Sequence, residues 1–292
     1  MEQKSAIVIG AGIVGLATAR ALSLKGFSVK VFERSEQSVG ASVRNFGMIW
    51  PIGQPTGALY QRAMRSRQIW KDIAIEAGFW YEHSGSLHVA YSKEEWQVLQ
   101  ELETEFRKDY REVTLLPADK IAADYEHVNT QDLLGGLFSA EELLIDPREA
   151  IAALPGYLQE KYQVSFYWNK CVTYIADQTV YIGNEEEHEA DIIFVCSGAD
   201  FETLYPEEFQ RLPLTKCKLQ MMRTGPLSQN NRIKTAICGG LSLLHYNSFK
   251  AAPSLAALQQ KMMEERKEYL DHGIHVMAAQ NGKKRNHHWR FS

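Results

Sequence analysis

The chain has 292 residues, 45% hydrophobic and 23% charged, with a formal net charge of −4. That length suits two domains or one large α/β unit, and the balance of apolar and charged residues is that of a globular protein, not a disordered or fibrous one. With no strong basic or acidic block before residues 283–292, nothing marks a nucleic-acid footprint.

Cys171, Cys196, Cys217 and Cys238 are widely spaced and form no C-x-x-C pair. They read as free thiols in a reducing compartment, and no metal site is expected. Lys4 and the apolar run behind it imitate a signal peptide, but fingerprint glycines and Arg20 argue against one. No run of about 18 uncharged apolar residues follows, so no membrane span is predicted, and the expected location is cytoplasmic.

Residues 5–34 read as one βαβ unit. Ala6 to Ile9 is a short buried strand. Gly10, Gly12 and Gly15 have the G-x-G-x-x-G spacing, a helix of small residues runs from Ile13 to Lys25, and Gly26 stops it. Ser28 to Phe32 is the second strand, closed by Glu33. Gly10 allows a sharp turn, Gly12 lets a pyrophosphate approach the backbone, and Gly15 lets helix and strand pack closely. The phosphates would sit on the helix N-terminus. Glu33, about twenty residues on, suits an unphosphorylated ribose hydroxyl. The motif predicts a bound adenine dinucleotide and does not separate FAD from NAD.

Residues 34–51 are rich in glycine and serine, yet also hold Arg44, Asn45, Phe46, Met48 and Trp50. This reads as a segment running beside a ligand, or else as a packed connector. The stretch Gly40-Ala-Ser-Val-Arg-Asn-Phe-Gly-Met48, following a βαβ unit that ends in Glu33-Arg34, resembles the D-amino-acid oxidase superfamily, which includes glycine and sarcosine oxidases. The resemblance implies FAD as cofactor, with Ser42, Arg44, Asn45 and Gly47 near the flavin. It implies an α/β fold: a Rossmann-type FAD-binding domain with a substrate domain of mixed β-sheet and helices. Such domains are discontinuous. The expected division is 1–80, 140–215 and 273–292 for FAD, and 81–139 and 216–272 for substrate.

Further along, Thr56 to Gly78 reads as an amphipathic helix with Leu59, Ala63, Ile69, Ile73 and Ala77 on one face. Phe79 to Tyr91 reads as a hairpin or two short strands. Ser92 and Glu95 form a capping box for a charged helix to Tyr110. Residues 116–125 resemble a short helix that family members insert. Asp146 is a natural N-cap with Pro147 at the first helical position. Val164–Trp168, Val172–Ala176 and Val180–Ile182 read as strands, and Val172 sits where the family places a backbone contact to adenine. Ile192 to Cys196 reads as a buried strand, with Ser197-Gly198 approaching the dinucleotide. Leu219–Thr224, Gly239–Tyr246 and Ile274–Ala279 read as strands, and Leu255–His272 as a helix. The cofactor-binding set is thus Gly10, Ala11, Gly12, Ile13, Val14, Gly15, Glu33, Arg34, Ser42, Arg44, Asn45, Gly47, Val172, Ser197 and Gly198. His245 and Tyr246 are either core residues or the groups that meet substrate over the flavin; no general base is assigned.

The resemblance implies oxidation of a small amine or amino acid by hydride transfer to flavin, with oxygen or another acceptor taking the electrons; the expected partners include no nucleic acid. The run Val43-Arg-Asn-Phe-Gly-Met-Ile-Trp-Pro51 further resembles a bacterial subgroup linked to aminophosphonates, for which Arg65, Arg67 and Lys218 are candidate cations. The alternatives are an NAD-dependent dehydrogenase and an inactive remnant. Residues 283–292, Lys-Lys-Arg-Asn-His-His-Trp-Arg-Phe-Ser, have no period and no cap. Dropping one adenine from codons compatible with them yields Lys-Ser-Glu-Ile-Thr-Ile-Gly-Asp, a strand-like continuation similar to the family's. The tail is therefore expected to follow a frameshift that truncates the chain, or to be an ordinary disordered terminus.

Overall fold

The computed structural model describes residues 3–183, 186–217, 219–223, 233–282 and 287–291. The chain divides into two units, each described by itself: residues 1–45, 75–79 and 147–217, and residues 46–74, 80–146 and 218–292.

In the first unit the strand Ser5–Ile9 pairs in parallel with Ser28–Glu33 on one side and Ile192–Val195 on the other. Ser165–Trp168 adds outside Ser28–Glu33, also in parallel. Parallel neighbours need crossovers, and the helix Ile13–Leu24 supplies the first. Ala6, Ile7 and Val8 are fully buried, as a strand covered on both faces should be. Ile192–Val195 differs from its expectation. It is an edge strand, paired only with Ser5–Ile9, and Ile192 and Val195 remain 41% and 36% exposed. A small antiparallel sheet, Val172–Ala176, Thr179–Ile182 and Glu186–Glu189, contributes Val172 and Val180 to the same core as Ile7, Ile9 and Phe32.

The second unit is built on a seven-stranded mixed sheet, in the order Gln220–Arg223, His287–Phe291, Val276–Gln280, Ala236–Cys238, Ser86–Ala90, Gly135–Ser139, Val113–Pro117. Its helix Lys93–Lys108 opens on the expected capping box of Ser92 and Glu95 and packs Val98, Leu99, Leu102 and Phe106 against Phe249 and Leu258. A three-stranded sheet joins Met48–Ile49, Leu143–Ile145 and Tyr81–Glu82.

Several local expectations change. For residues 79–91, of the two readings a hairpin or two short strands, the second holds: Tyr81–Glu82 and Ser86–Ala90 enter different sheets. Gly240–Leu244 is a 3-10 turn rather than a strand, closed by Ser242 Oγ donating to the Gly239 carbonyl at 2.5 Å; the strand lies earlier, at Ala236–Cys238. The helix Leu255–Glu265 breaks at Arg266 (φ −140°, ψ 30°) before Lys267–Asp271. On the helix Ala58–Ala77, Leu59 is exposed, and only Ile73 and Ala74 are buried. Residues 46–74, 80, 140–146 and 273–292, expected with the FAD domain, cluster with the second unit. The reason is backbone pairing: Met48–Ile49 joins Leu143–Ile145, and Val276–Gln280 joins Ala236–Cys238. His287–Phe291, in the tail expected to follow a frameshift or to be a disordered terminus, is itself paired between Gln220–Arg223 and Val276–Gln280.

Two buried groups make the second unit sensitive to pH in opposite senses. The His88 ring is fully buried between Trp50 and Phe249, with no hydrogen bond to either nitrogen. Burial lowers its pKa from 6.5 to about 3. The unfolded chain takes up this proton first, so the stability from keeping the ring neutral is complete above pH 6.5 and is lost as pH falls toward 3. Burial raises Glu142 from 4.5 to about 7, against the lowering effect of hydrogen bonds from Ser139, the Ile52 amide and Ser86. Its contribution is complete below pH 4.5 and is lost as pH rises through 7. Each group should tilt the stability profile by up to about 1.4 kcal/mol per pH unit within its window. Denaturant unfolding at several pH values should show His88→Leu losing less stability than the parent on acidification, and Glu142→Gln losing less on alkalinisation. Profiles parallel to the parent would contradict both assignments.

Candidate functional site

The fingerprint turn is a set of backbone contacts that only glycine permits. Gly10 has φ +104°, and a Cβ there would lie 2.4 Å from the Cys196 carbonyl oxygen. A Cβ on Gly15 would lie 1.9 Å from the Gly10 carbonyl oxygen. The helix therefore crosses directly on the turn, as the spacing predicted. Gly12 is different: its Cβ position meets only the Ser42 hydroxyl, at 3.3 Å, and it faces a cleft.

That cleft, of about 280 Å³, is lined by Gly10, Gly12, Glu33, Arg34, Ser42, Val172, Ser197 and Gly198 among others. Glu33 Oε2 accepts from the Ala11 amide at 2.9 Å, and Oε1 accepts from the Ser35 amide at 3.0 Å. The carboxylate at the strand end is thereby held over the turn. Ser42 Oγ accepts from the Ile13 amide at 2.9 Å, capping the helix start from the 40–48 segment. These two bonds occupy amides expected to be free for phosphate. Ala11 is buried, Ile13, Val14 and Gly15 do not line the cleft, and the Val14 side chain is 65% exposed.

Other expected residues lie elsewhere. Arg44 lines an adjoining groove of the same unit, which shares Ser38 and Val39 with the cleft, and Asn45 lines neither. Gly47, His245 and Tyr246 belong to the second unit. There His245 stacks on His275 at 4.3 Å, and Tyr246 donates its hydroxyl to Met277 Sδ at 3.5 Å. Gly53 is wedged between Trp50 and Tyr246, where a Cβ would approach both rings to 2.8 Å. Of the proposed phosphonate cations, Arg65 is exposed, Arg67 Nη2 lies 2.7 Å from His83 Nε2, and Lys218 lies outside the described residues.

Sequence reasoning missed three cleft residues. Ser38 Oγ donates to the Ala11 carbonyl at 2.6 Å. Asp200 binds Arg34 Nη1 at 2.8 Å and accepts from the Glu202 and Thr203 amides. Burial works to raise its carboxyl, but the bonds from Thr203 and Glu202 and the Arg34 charge outweigh this and lower its pKa. Lys170 pairs with Glu186. The signal for Asp200 was present: an acid two residues past Gly198, followed by residues free to turn back on it. Cys196 is not a reactive thiolate, since burial raises its pKa.

Residues 5–240 match the family model described as DAO, FAD dependent oxidoreductase. Two relatives, both named tRNA 5-methylaminomethyl-2-thiouridine biosynthesis bifunctional protein, come from Chromobacterium violaceum and Nitrosospira multiformis. The first is 25% identical over 261 residues, 82% of this chain and 36% of the relative. The second is 25% identical over 250 residues, 80% of this chain and 39% of the relative. The chain thus spans well under half the length of these relatives. Among solved structures, L-proline dehydrogenase from P. horikoshii matches with a TM-score of 0.72 and 18% identity, over 99% of this chain and 69% of that one. Glycine oxidase from Bacillus cereus matches with a TM-score of 0.72 and 14% identity, over 99% of this chain and 70% of that one. These likenesses show the fold.

The chemistry of the cleft fits a dinucleotide: an open position at Gly12 on a helix N-terminus, and a carboxylate at the end of the second strand. Gly12→Ala should lower the melting temperature only slightly, because its Cβ meets only the end of the Ser42 side chain, at 3.3 Å, which must shift by a few tenths of an ångström, yet weaken FAD at least about tenfold by placing a methyl where phosphate approaches. Gly15→Ala should instead destabilise the fold by about 1–3 kcal/mol, through overpacking against the Gly10 carbonyl. Thermal melts and FAD titrations of both variants would separate the two roles; identical behaviour would contradict the assignment.

Proposed function

The chain belongs to the DAO family of FAD-dependent oxidoreductases, and we propose that it oxidises a C–N bond of a small amine or amino acid. When bound, FAD accepts the hydride from the carbon beside nitrogen, leaving an imine that water hydrolyses, and passes the electrons to oxygen or another acceptor. The chain supplies position. Gly12, at the start of the helix Ile13–Leu24, would let the pyrophosphate approach the backbone, and Glu33 would accept from a ribose hydroxyl. Val172, Ser197 and Gly198 line the same cleft, and Ser42 anchors the 40–48 segment on the helix start.

The observation that carries this reading is the joining of the glycine turn to the 40–48 segment through the Ser42–Ile13 hydrogen bond, within a stretch that matches the family. The glycine oxidase and L-proline dehydrogenase names share a substrate with nitrogen on the carbon next to a carboxylate, which supports an amino acid as the first class to test. Aminophosphonates, with phosphonate in place of carboxylate, are the finer candidate. A second reading comes from the relatives' name, in which a methylaminomethyl group puts an amine on a tRNA base; the oxidised bond would be of the same class on a much larger carrier. The net charge of −4 favours the free small amine.

The purified chain should hold FAD through gel filtration. Its visible flavin bands should bleach anaerobically with a substrate drawn from glycine, proline, N-methylated amino acids and aminoalkylphosphonates, with release of the matching aldehyde, keto acid or cyclic imine. Bleaching by a modified tRNA and by no free amine would transfer the assignment to the second reading. Retained flavin that none of these reduces would overturn the amine-oxidation proposal and leave the cofactor assignment standing.

A further inference from the structure

In the first unit the strands Ser28–Glu33 and Ile192–Val195 lie on opposite sides of Ser5–Ile9 and are not paired with each other. They are two interstrand spacings apart, about 10 Å. Where the middle strand ends, the backbone ties it to both: the Gly10 amide donates to the Phe32 carbonyl at 2.7 Å, and the Cys196 amide donates to the Ile9 carbonyl at 2.8 Å. A few residues further along both outer chains, a side-chain contact crosses the gap. Arg34 Nη1 donates to Asp200 Oδ2 at 2.8 Å, and both residues line the cleft. Ligands of open α/β sheets sit at the carboxyl ends of the strands, so this ion pair is a bar across the place where the dinucleotide binds.

The two ends of the bar differ. Asp200 is anchored: its side chain is 8% exposed, and Oδ1 accepts from the Glu202 amide at 3.2 Å and the Thr203 amide at 3.1 Å. Oδ2 faces Arg34. The Arg34 side chain is 57% exposed and sits on a long flexible stem, so it is the end that moves. A pair this exposed contributes little to folding; its position is what gives it a role. It lies at the adenosine end of the cleft. Arg34 directly follows Glu33, the carboxylate suited to ribose, and the Lys170 amide donates to the Glu33 carbonyl at 2.9 Å, which sets Lys170, Cys171 and Val172 on the same part of the wall.

We infer that Asp200 is a positioning residue for the cofactor: by holding the Arg34 guanidinium across the cleft, it closes the adenosine end over bound FAD and slows its release. A guanidinium is planar and stacks on aromatic faces, so adenine is the part of FAD that it fits. Asp200 acts through Arg34 and needs no contact with the cofactor. The inference rests on FAD as the cofactor and not on which amine is oxidised.

The test follows release of FAD from the loaded full chain, read as the return of flavin fluorescence on dilution. Asp200→Asn keeps an oxygen that can accept from the Glu202 and Thr203 amides, so its melting temperature should stay near that of the parent, while release speeds by about three- to tenfold. Raising the ionic strength from about 0.01 M to about 1 M should speed release from the parent more than from Asp200→Asn and narrow the difference. In an Arg34→Gln background, Asp200→Asn should change the rate by less than about twofold, because its effect runs through Arg34. The inference is overturned if Asp200→Asn releases FAD no faster than the parent, if its effect persists in full in the Arg34→Gln background, or if salt leaves the difference intact. A parent chain that holds no flavin would overturn the cofactor assignment itself, and this inference with it.

Discussion

The first unit depends on one steric fact: three stretches of backbone meet at the glycine turn with no room for a side chain. The Cys196 carbonyl lies against Gly10, and the Gly10 carbonyl lies against Gly15. Those contacts set where the helix Ile13–Leu24 begins, and hence where its N-terminus points. They also bring the end of Ile192–Val195 beside the end of Ser5–Ile9, through the Cys196 amide bonded to the Ile9 carbonyl at 2.8 Å. Ser197 and Gly198 reach the cleft because of that bond. The site is thus a consequence of strand order, with Glu33 and Ser42 tying the remaining walls to the same turn.

The second unit is organised by a buried carboxylate. Glu142 Oε1 accepts from the Ile52 amide at 3.0 Å, and Oε2 accepts from Ser86 Oγ at 2.9 Å. It joins the turn after Trp50 to a central strand of the seven-stranded sheet. Beside it, Arg111 lies over the rings of Tyr60 and Phe106, at 4.0 and 4.3 Å from their centroids. Burying such groups is costly unless they are bonded, so these contacts hold the Trp50, Tyr246 and Phe249 cluster to one arrangement rather than simply adding stability. The unbonded ring of His88 in that cluster is tolerated because it stays neutral.

Family membership and substrate stand on different footings. Residues 5–240 carry the family pattern, and the cleft in the first unit explains why: its geometry is backbone geometry, and backbone geometry survives wide divergence. Substrate choice rests on side chains, and at 14–25% identity those are free to change. The name shared by the relatives refers to a methylaminomethyl group on tRNA, while the structural neighbours are named for proline and glycine.

The βαβ unit, the capping box at Ser92 and Glu95, the proline start at residue 147 and the 40–48 segment were legible because each is a local rule, in which spacing and residue type set backbone conformation within a few residues. Local patterns could not tell an edge strand from a central one, so Ile192–Val195 reads as buried and is half exposed. They could not show that Gly240–Leu244 turns back on Ser242, or that Tyr81–Glu82 and Ser86–Ala90 choose different sheets. Ser42 and Arg44 follow the family pattern in sequence, and the 3-10 turn Ala41–Arg44 sends them to adjoining parts of the first unit: Ser42 lines the cleft and Arg44 the groove that shares Ser38 and Val39 with it. By itself the sequence determined a dinucleotide-binding turn, through the spacing of Gly10, Gly12 and Gly15, and the resemblance of the 40–48 segment selected FAD. Only the tertiary structure decided which partners Glu33, Asp200 and Ser42 hold, and which segments join which unit, because those contacts link residues far apart in the chain.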